Sequence, residues 1–428
     1  MVTSAFIKLW GKTVGAIAWD PREGFANFEY ANQIDPEKLP IAPIKMPAKQ
    51  IYGFPELRDS ATFRGLPGML ADSLPDRYGN DLINIWLAQN GRPENSLNPV
   101  ELLCFIGKRG MGAMEFEPTI SPVVPSASLE LTQLILYTQQ LLDNKKQLLL
   151  NTEVGLRDVM IDVLKMGTSA GGARPKAIIA YNEKTGDIRS GQMLPDKGYE
   201  HWLIKFDGVR DTQFWATYGY GRVEIAYYKM AIDFGIQMME SRLVEEGNRA
   251  HFMTKRFDRV NGDLKVHVQT LCALQHYDCN KITSYSYEQL FQTMRTLRLT
   301  YAEAEQMYRR MVFNVLSRNC DDHTKNFAFM MATDGVWKLA PAYDVCHSYR
   351  PGSDWVSQHS LSINGKRIDF NKEDLLKFAE QHSIRHAPRI IEEGLAMVNN
   401  WMKYAKEFNV SDDLAKAIDS TLVKALQM

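Results

Sequence analysis

A short polar run reads Asn319-Cys320-Asp321-Asp322-His323-Thr324-Lys325-Asn326-Phe327, and a later segment reads Pro341-Ala342-Tyr343-Asp344-Val345. Apolar segments flank the first run, at positions 311–316 before it and 327–331 after it. Asp321 and Asn326 lie five positions apart, and Asp344 follows eighteen positions later. A polar loop held between two apolar segments is better suited to chemistry than to solvation.

The side chains of these two segments match the needs of phosphoryl transfer. Such an enzyme needs a carboxylate that orients the acceptor hydroxyl, and oxygen ligands for the magnesium that neutralises the phosphates. We expect Asp321 to be the catalytic base, and Asn326 and Asp344 to bind Mg²⁺, which prefers hard oxygen ligands. His323 would either polarise a phosphate or hydrogen-bond the loop. The alternative for the whole run is an ordinary turn, since short polar side chains hydrogen-bond nearby backbone.

Length and composition indicate a globular protein of two or three domains. The 428 residues are 45% hydrophobic and 24% charged, and the net charge of −1 predicts no overall attraction to nucleic acid or to an anionic membrane. Five cysteines without paired CxxC spacing indicate neither a disulfide framework nor a zinc site. We find no signal-peptide pattern and no long uncharged apolar run, and we therefore expect a cytoplasmic protein that does not enter membranes.

The pattern along the chain predicts an α+β protein with a two-lobed, kinase-like arrangement. Short strands, one of them at 25–30, precede a helix at 69–90, and prolines at 118–125 indicate a linker. Helical periodicity follows at 127–166, and then come strands at 177–181, 201–206 and around 252–257, with a helix at about 223–234. From about 287 onward the pattern is almost wholly helical, interrupted by the polar run and by a loop at 349–369. The predicted parts are an N-terminal subdomain 1–118, a β-rich small lobe 119–262 and a helical lobe 263–428.

Two features of the predicted small lobe suit phosphate binding. One is a glycine-rich loop whose backbone N–H groups can approach an anion closely. Its candidate residues are Ser169, Gly171, Gly172, Ala173, Arg174 and Lys176. The other is Lys205, an ammonium in an apolar strand that needs a partner, with Glu224 as the best carboxylate, because a strand lysine and a helix glutamate form a recurring kinase pair. The alternatives are a flexible loop, a lysine extending from a strand edge and a solvated glutamate favoured by the helix dipole.

The segment Arg256-Phe257-Asp258-Arg259 follows directly on a predicted strand. It would link the two lobes and offer Phe257 and Asp258 to an adenine ring. A charged hairpin end is the alternative.

Taken together, these segments resemble the HipA family of bacterial toxin serine/threonine kinases. The resemblance covers nearly the whole chain. The matching pieces are residues 110–116, the loop at 169–176, Ile204-Lys205, Lys255-Arg256-Phe257-Asp258-Arg259, the run at 321–326 and Tyr343-Asp344-Val345.

The resemblance implies a HipA-like fold and an ATP- and Mg²⁺-dependent serine/threonine protein kinase. By this resemblance Asp321 is the catalytic base, Asn326 and Asp344 bind magnesium, Lys205 contacts the ATP phosphates, and Lys176 belongs to the phosphate loop.

The resemblance also implies regulation and partners. Ser169, or the adjacent Thr168, would be autophosphorylated and the kinase thereby inactivated. A helix-turn-helix, HipB-like antitoxin would bind the chain, so that contact with DNA is only indirect. The substrate would be a protein, of which glutamyl-tRNA synthetase, an aminoacyl-tRNA synthetase, is the best-known example in the family.

The chain departs from the commonest family pattern in two places. Asp322 stands where a small residue is usual, and its charge beside the base would alter metal affinity or acceptor choice. Arg174-Pro175 replaces a frequent Gln-Glu, and proline would stiffen the loop. Two other functions stay open: a pseudokinase-like binding module that holds a DNA-binding partner and regulates transcription, and a metal-dependent phosphohydrolase.

Overall fold

The computed structural model describes residues 2–120, 175–191, 197–208, 218–260 and 264–427. The chain divides into two compact units. The first unit comprises residues 1–218, 242–268 and 332–335, and the second comprises 219–241, 269–331 and 336–428. The three-part division predicted from the sequence stays a prediction. The helix predicted at 127–166 lies outside the described residues, as does most of the predicted linker.

The N-terminal part of the first unit is a five-stranded antiparallel sheet with strand order β4-β3-β2-β1-β5. Its strands are β1 Ser4–Leu9, β2 Lys12–Asp20, β3 Phe25–Tyr30, β4 Ile51–Gly53 and β5 Met114–Glu117. Burial alternates along β1 and β3, as expected for a sheet that packs one face on a core. The strand predicted at 25–30 is confirmed by β3.

The helix predicted at 69–90 is wrong as a single element. The structure has α1 at Gly68–Ala71 and α2 at Arg77–Gln89. The helix is interrupted before Pro75, as expected because a proline disfavours the helical conformation of the residue before it. Asp76 then caps the new helix, since its carboxylate accepts a hydrogen bond from the backbone N–H of Gly79 at 2.7 Å. A third helix, α3, spans Pro99–Ile106 and is buried along its whole length.

A second five-stranded antiparallel sheet completes most of the first unit. Its strands, in the order β7-β6-β8-β10-β9, are β6 Lys176–Tyr181, β7 Ile188–Ser190, β8 Glu200–Lys205, β9 Ser241–Glu246 and β10 Arg249–Lys255. The fully buried Trp202 of β8 packs in one cluster with Ile179 of β6 and with Leu87 and Phe105 from α2 and α3. The strands predicted at 177–181 and 201–206 are thus confirmed. A short hairpin of β11 Arg259–Val260 and β12 Leu264–Lys265 follows.

Asp258 lies in the interior of the first unit, where its side chain has structural partners, and its contact with a nucleotide stays a prediction. Its side chain is fully buried, 2.6 Å from nitrogens of both Arg256 and Arg259. The same carboxylate accepts a hydrogen bond from the backbone N–H of Gly112 at 2.7 Å, and Arg259 donates to the carbonyl of Gly110 at 3.0 Å. Burial alone would raise the pKa of Asp258, but the two guanidinium groups hold it well below its usual range. The charged segment 256–259 therefore holds the loop at 110–112 by hydrogen bonds, an arrangement called the clamp below.

The second unit is mainly helical. Its helices are α4 Tyr220–Asp233, α5 Leu271–Gln275, α6 Tyr287–Thr296, α7 Tyr301–Ser317, α8 Lys372–Gln381, α9 Ala387–Asn399, α10 Trp401–Glu407 and α11 Asp412–Asp419. Both α6 and α7 begin with a capping box, formed by Ser286 with Gln289 and by Thr300 with Glu303. Among the described helices, none is both long and apolar enough to cross a membrane.

The predicted, almost wholly helical pattern after 287 misses an antiparallel hairpin of β15 Ala328–Met331 and β16 Trp337–Leu339. A parallel pair joins β14 Tyr285–Ser286 to β17 Leu361–Ser362, which lies in the predicted loop at 349–369. A further strand, β13, spans His267–Thr270. The hairpin matters for the site because β15 begins directly after the polar run and holds its C-terminal end.

We expect Asp258→Ala to lower the free energy of unfolding of the first unit by roughly 3–5 kcal/mol, because two guanidinium groups stay buried without their carboxylate. Urea unfolding followed by tryptophan fluorescence measures this. The matched control is Glu183→Ala, which removes an exposed carboxylate 3.2 Å from Arg242 in the same unit and should cost less than about 1 kcal/mol. Equal losses for the two variants would contradict the clamp.

Candidate functional site

The polar run begins where α7 ends. Arg318 caps the helix in the left-handed conformation, with φ of 57°, and the backbone N–H of Asn319 donates to the carbonyl of Asn314 at 3.0 Å. A 3₁₀ turn over Thr324–Asn326 closes the run, and β15 follows. The residues at 311–316 and 327–329 are buried, so both flanking apolar segments belong to the core. The loop is therefore held at both ends.

Asp321 is the accessible carboxylate of the loop, with 45% of its side chain exposed. The Nε2 atom of His323 lies 3.7 Å from Oδ1 of Asp321. The Nδ1 atom of the same histidine accepts a hydrogen bond from the backbone N–H of Lys325 at 3.3 Å and so caps the 3₁₀ turn. The structure thus supports the loop-bonding role expected for His323, while its contact with a phosphate stays a prediction.

Asn326 and Asp344 line one cavity, to which Asn319 and Tyr343 also contribute. The side-chain amide of Asn326 donates to the main-chain carbonyl of Asp321 at 2.6 Å. The hydroxyl of Tyr343 donates to the main-chain carbonyl of Lys325, also at 2.6 Å, and this bond ties the segment of Asp344 to the loop. Two residues eighteen positions apart are therefore brought together as the sequence predicts.

Asn326 and Asp344 supply oxygen atoms of the kind that Mg²⁺ prefers, and binding of this ion stays a prediction. One carboxylate and one amide oxygen are a small set of hard ligands, which suits an ion that keeps several waters and binds substrate phosphates. In the described part of the chain, no group of three His, Cys, Asp or Glu side chains gathers to hold a metal by itself. Asp344 adopts a left-handed backbone with φ of 54°, an uncommon state for a residue other than glycine that is often found at functional sites.

Asp322 also lines this cavity, and its carboxylate is bonded within the second unit. Its side chain is fully buried, and the Nδ1 atom of His359 lies 2.9 Å from Oδ2. The hydroxyl of Tyr287 donates to the same oxygen at 2.8 Å, and the backbone N–H of Ser360 donates to Oδ1 at 2.7 Å. The charge that the sequence places beside the base is thus taken up by an imidazole and two hydrogen-bond donors.

The hydrogen bonds continue from Asp322 into α7. The side-chain amide of Asn314 donates to the hydroxyl of Tyr287 at 3.0 Å, and that of Asn319 donates to Oδ1 of Asn314 at 2.9 Å. Burial raises the pKa of Tyr287 well above its usual value, and Asp322 raises it further. Each residue of this hydrogen-bond network is therefore bonded to at least one other residue of the network.

Sequence reasoning missed four residues of this site: Tyr287, Asn314, His359 and Arg310. Arg310 lines the same cavity, donates to the carbonyl of Ala340 at 2.8 Å, and has its pKa lowered to about 10 by burial. One of the four carried a signal, since Asn314 is a polar residue in an otherwise apolar stretch of helix, where a polar group needs a partner.

The predicted phosphate residues are placed as follows. Residues 169–174, with the candidate autophosphorylation site Ser169, lie outside the described residues. The ammonium of Lys176 is buried, 3.2 Å from the carboxylate of Asp76, so it has a structural partner in the first unit. Phe257 is half-buried. The phosphate-binding roles of these residues stay predictions.

Lys205 is half-buried, and its Nζ atom lies 5.8 Å from the ring centroid of Phe252, within the range of a cation–π contact. Glu224 is only 3% exposed, so the alternative of a solvated glutamate is wrong. Lys205 belongs to the first unit and Glu224 to the second. Their predicted pairing stays a prediction.

Comparison with known proteins identifies the class. The model of the HipA N-terminal domain matches residues 5–117, and that of the HipA-like C-terminal domain matches residues 168–418, more than half of the chain. A two-domain protein of mixed helix and sheet with these two domains in this order is HipA-like. The chain belongs to the HipA family.

Individual relatives are distant. The chain is 23% identical over 221 residues to the serine/threonine-protein kinase toxin HipA of Shewanella oneidensis. The aligned region covers 46% of this chain and 46% of that protein, so the chain matches about half the length of that relative. A structure of the Shewanella oneidensis MR-1 toxin–antitoxin system HipA, HipB and its operator DNA matches 98% of this chain and 96% of that chain, with a TM-score of 0.66 and 16% identity. This match confirms the predicted fold. The proinflammatory kinase CtkA of Helicobacter pylori covers 59% of this chain and 90% of that chain at 18% identity, but its TM-score of 0.35 supports no conclusion.

The pairing of His359 with Asp322 predicts a pH dependence of stability. Burial alone would lower the pKa of His359, but the carboxylate of Asp322 outweighs it and raises the pKa from 6.5 to about 10. The stabilisation should be fully present below pH 6.5 and be lost as the pH rises toward 10, because the folded state then gives up its extra proton. The other polar groups at His359 are Arg367, which donates to its carbonyl, and Cys320.

Urea unfolding of the wild type and of His359→Gln between pH 6 and pH 10 measures this effect. The difference in unfolding midpoint between the wild type and His359→Gln should become smaller as the pH rises from 6 to 10. His386→Gln is the control, since it removes an exposed histidine 2.8 Å from Glu305 in the same unit. A difference for His359→Gln that does not change with pH would contradict the charged pair.

Proposed function

We propose that this protein is an ATP- and Mg²⁺-dependent serine/threonine protein kinase of the HipA type. The observation that carries the proposal is the arrangement in the second unit. An exposed carboxylate, Asp321, stands on a loop held at both ends, and the side chain of Asn326 fixes the carbonyl of that same residue. Asn326 also shares one cavity with Asp344. These are the parts that orient an acceptor hydroxyl and hold metal in phosphoryl transfer.

Each residue has a stated part in the reaction. Asp321 would orient the acceptor hydroxyl and accept its proton as the oxygen bonds to the γ-phosphorus and the bond to ADP breaks. Asn326 and Asp344 would hold Mg²⁺, which when bound neutralises charge on the phosphates. Lys205, with the loop at 169–176, would contact the phosphates. A phosphate on Ser169 would add a charge of about −1.5 to −2 to that loop and repel ATP.

We expect Asp321→Asn to lower phosphate transfer from ATP by roughly 10²–10⁴-fold, because a general base contributes about that factor. Transfer of ³²P to protein, with and without Mg²⁺, measures this, and omitting Mg²⁺ should abolish transfer by the wild type. Mass spectrometry of the two purified proteins tests Ser169, which should carry phosphate in the wild type alone.

The control for this substitution is Asp413→Asn, an exposed aspartate on α11 that should leave transfer unchanged. Equal transfer by the wild type and Asp321→Asn would disprove the role of Asp321. Mg-ATP binding by calorimetry without any transfer would instead favour the pseudokinase-like binding module. Phosphate release without a protein acceptor would favour a phosphohydrolase.

The partners we propose are a helix-turn-helix, HipB-like antitoxin and a protein substrate such as an aminoacyl-tRNA synthetase. The support for the antitoxin is the similarity, over 98% of this chain, to a HipA that was solved with HipB and operator DNA. We expect a helix-turn-helix protein encoded beside this gene to copurify with the chain and to carry it onto operator DNA in a gel-shift assay. No shift beyond that of the helix-turn-helix protein alone would refute this partner, and labelling a lysate with radioactive ATP would reveal the substrate.

A further inference from the structure

We infer that Asp322 is a positioning residue that fixes the loop of Asp321 to the segment that follows Asp344, with His359 and Ser360 as its anchors. The inference deepens the proposed function and rests on it, because the position of Asp321 affects a rate only if that carboxylate acts on an acceptor. The loop is defined as residues 319–326, and the anchoring segment as residues 359–367.

The first step of the argument is that the backbone on each side of Asp321 is held by the interior of the second unit. On the C-terminal side, both carboxylate oxygens of Asp322 are bonded, as described above. On the N-terminal side, the N–H of Cys320 donates to the carbonyl of Ser348 at 3.1 Å, and its carbonyl accepts from the hydroxyl of Ser360 at 3.4 Å. Asp321 therefore has an anchored neighbour on each side while its own side chain stays accessible.

The second step is that the anchoring segment is itself braced. The guanidinium group of Arg367 donates to the carbonyl of Ser360, and to those of Thr283 and Tyr285 at 2.6 and 3.0 Å. Leu361 and Ser362 form β17, which pairs with β14 just before α6. An anchor that is rigid in this way can fix the loop, whereas a free loop segment cannot.

The third step concerns the kind of connection. In many kinases the segment after the metal-binding aspartate becomes ordered when a phosphorylated residue pairs with arginine. In this chain a carboxylate of the loop itself meets an imidazole from that segment, at 2.9 Å and with both side chains almost completely buried. The connection between the two segments is thus made by side chains of the unmodified chain.

The test compares Asp322→Asn and His359→Gln, two substitutions that preserve size or a hydrogen-bond donor, with the wild type. Hydrogen exchange read by mass spectrometry should show faster exchange in peptides covering 319–326 and 359–367, and unchanged exchange over α10 and α11. The rate constant kcat for transfer should fall by roughly 10²-fold, because small misplacements of a reacting group have effects of that size. The Kd for Mg-ATP, from calorimetry, should change by a much smaller factor than kcat, because only one of the two proposed magnesium ligands, Asn326, lies in the loop.

The matched control is Tyr308→Phe, which removes a buried tyrosine hydroxyl that donates to the carbonyl of Leu375 at 3.0 Å in the same unit. It should lower stability but leave kcat unchanged. A comparable fall in kcat for this variant, or wild-type exchange and kcat for Asp322→Asn, would overturn the inference. If the wild type itself transfers no phosphate, the proposed function fails, and the exchange result alone decides whether Asp322 anchors the loop.

Discussion

The second unit depends on one buried carboxylate. Removing a charge from water is costly unless the charge is paired and fully hydrogen-bonded, and Asp322 meets this requirement only where Tyr287, His359 and Ser360 converge on it. These residues come from the start of α6 and from a segment far along the chain. One electrostatic requirement therefore sets the relative placement of three parts of the unit, and the exposed Asp321 takes its position from its buried neighbour.

The first unit uses the same physical device. Asp258 is buried with two arginines and a backbone N–H, and this cluster holds the loop at 110–112. Both pieces, residues 110–116 and 255–259, are among those that carry the resemblance to the HipA family. The structure supplies a reason that they occur together: each would leave unpaired polar groups in the interior without the other. A buried charge thus serves in both units as a specific connection between segments distant in sequence.

Sequence reasoning falls short where contacts between distant residues or local restrictions decide the structure. The neighbours of Asp258 and Asp322 in the chain do not indicate that both carboxylates are buried and paired, as the structure shows. The predicted helix at 69–90 has the right apolar content but contains Pro75, and a local conformational restriction outweighed the longer pattern. The hairpin of β15 and β16 was missed because short apolar runs are compatible with either a helix or a strand.

Local patterns were sufficient for much of this protein. Alternating and apolar runs predicted β3, β6 and β8, and of the three residues singled out by their spacing, Asn326 and Asp344 line one cavity, while Asp321 is bonded to Asn326 through its main-chain carbonyl. Neither the alternation of apolar residues nor the spacing of polar residues shows which residue pairs with a buried charge. His359 lies 37 positions from Asp322, and no periodicity or motif links the two. Only the folded chain decides such pairs, because desolvation and pairing depend on distances in space, whereas propensity and spacing depend on distances along the sequence.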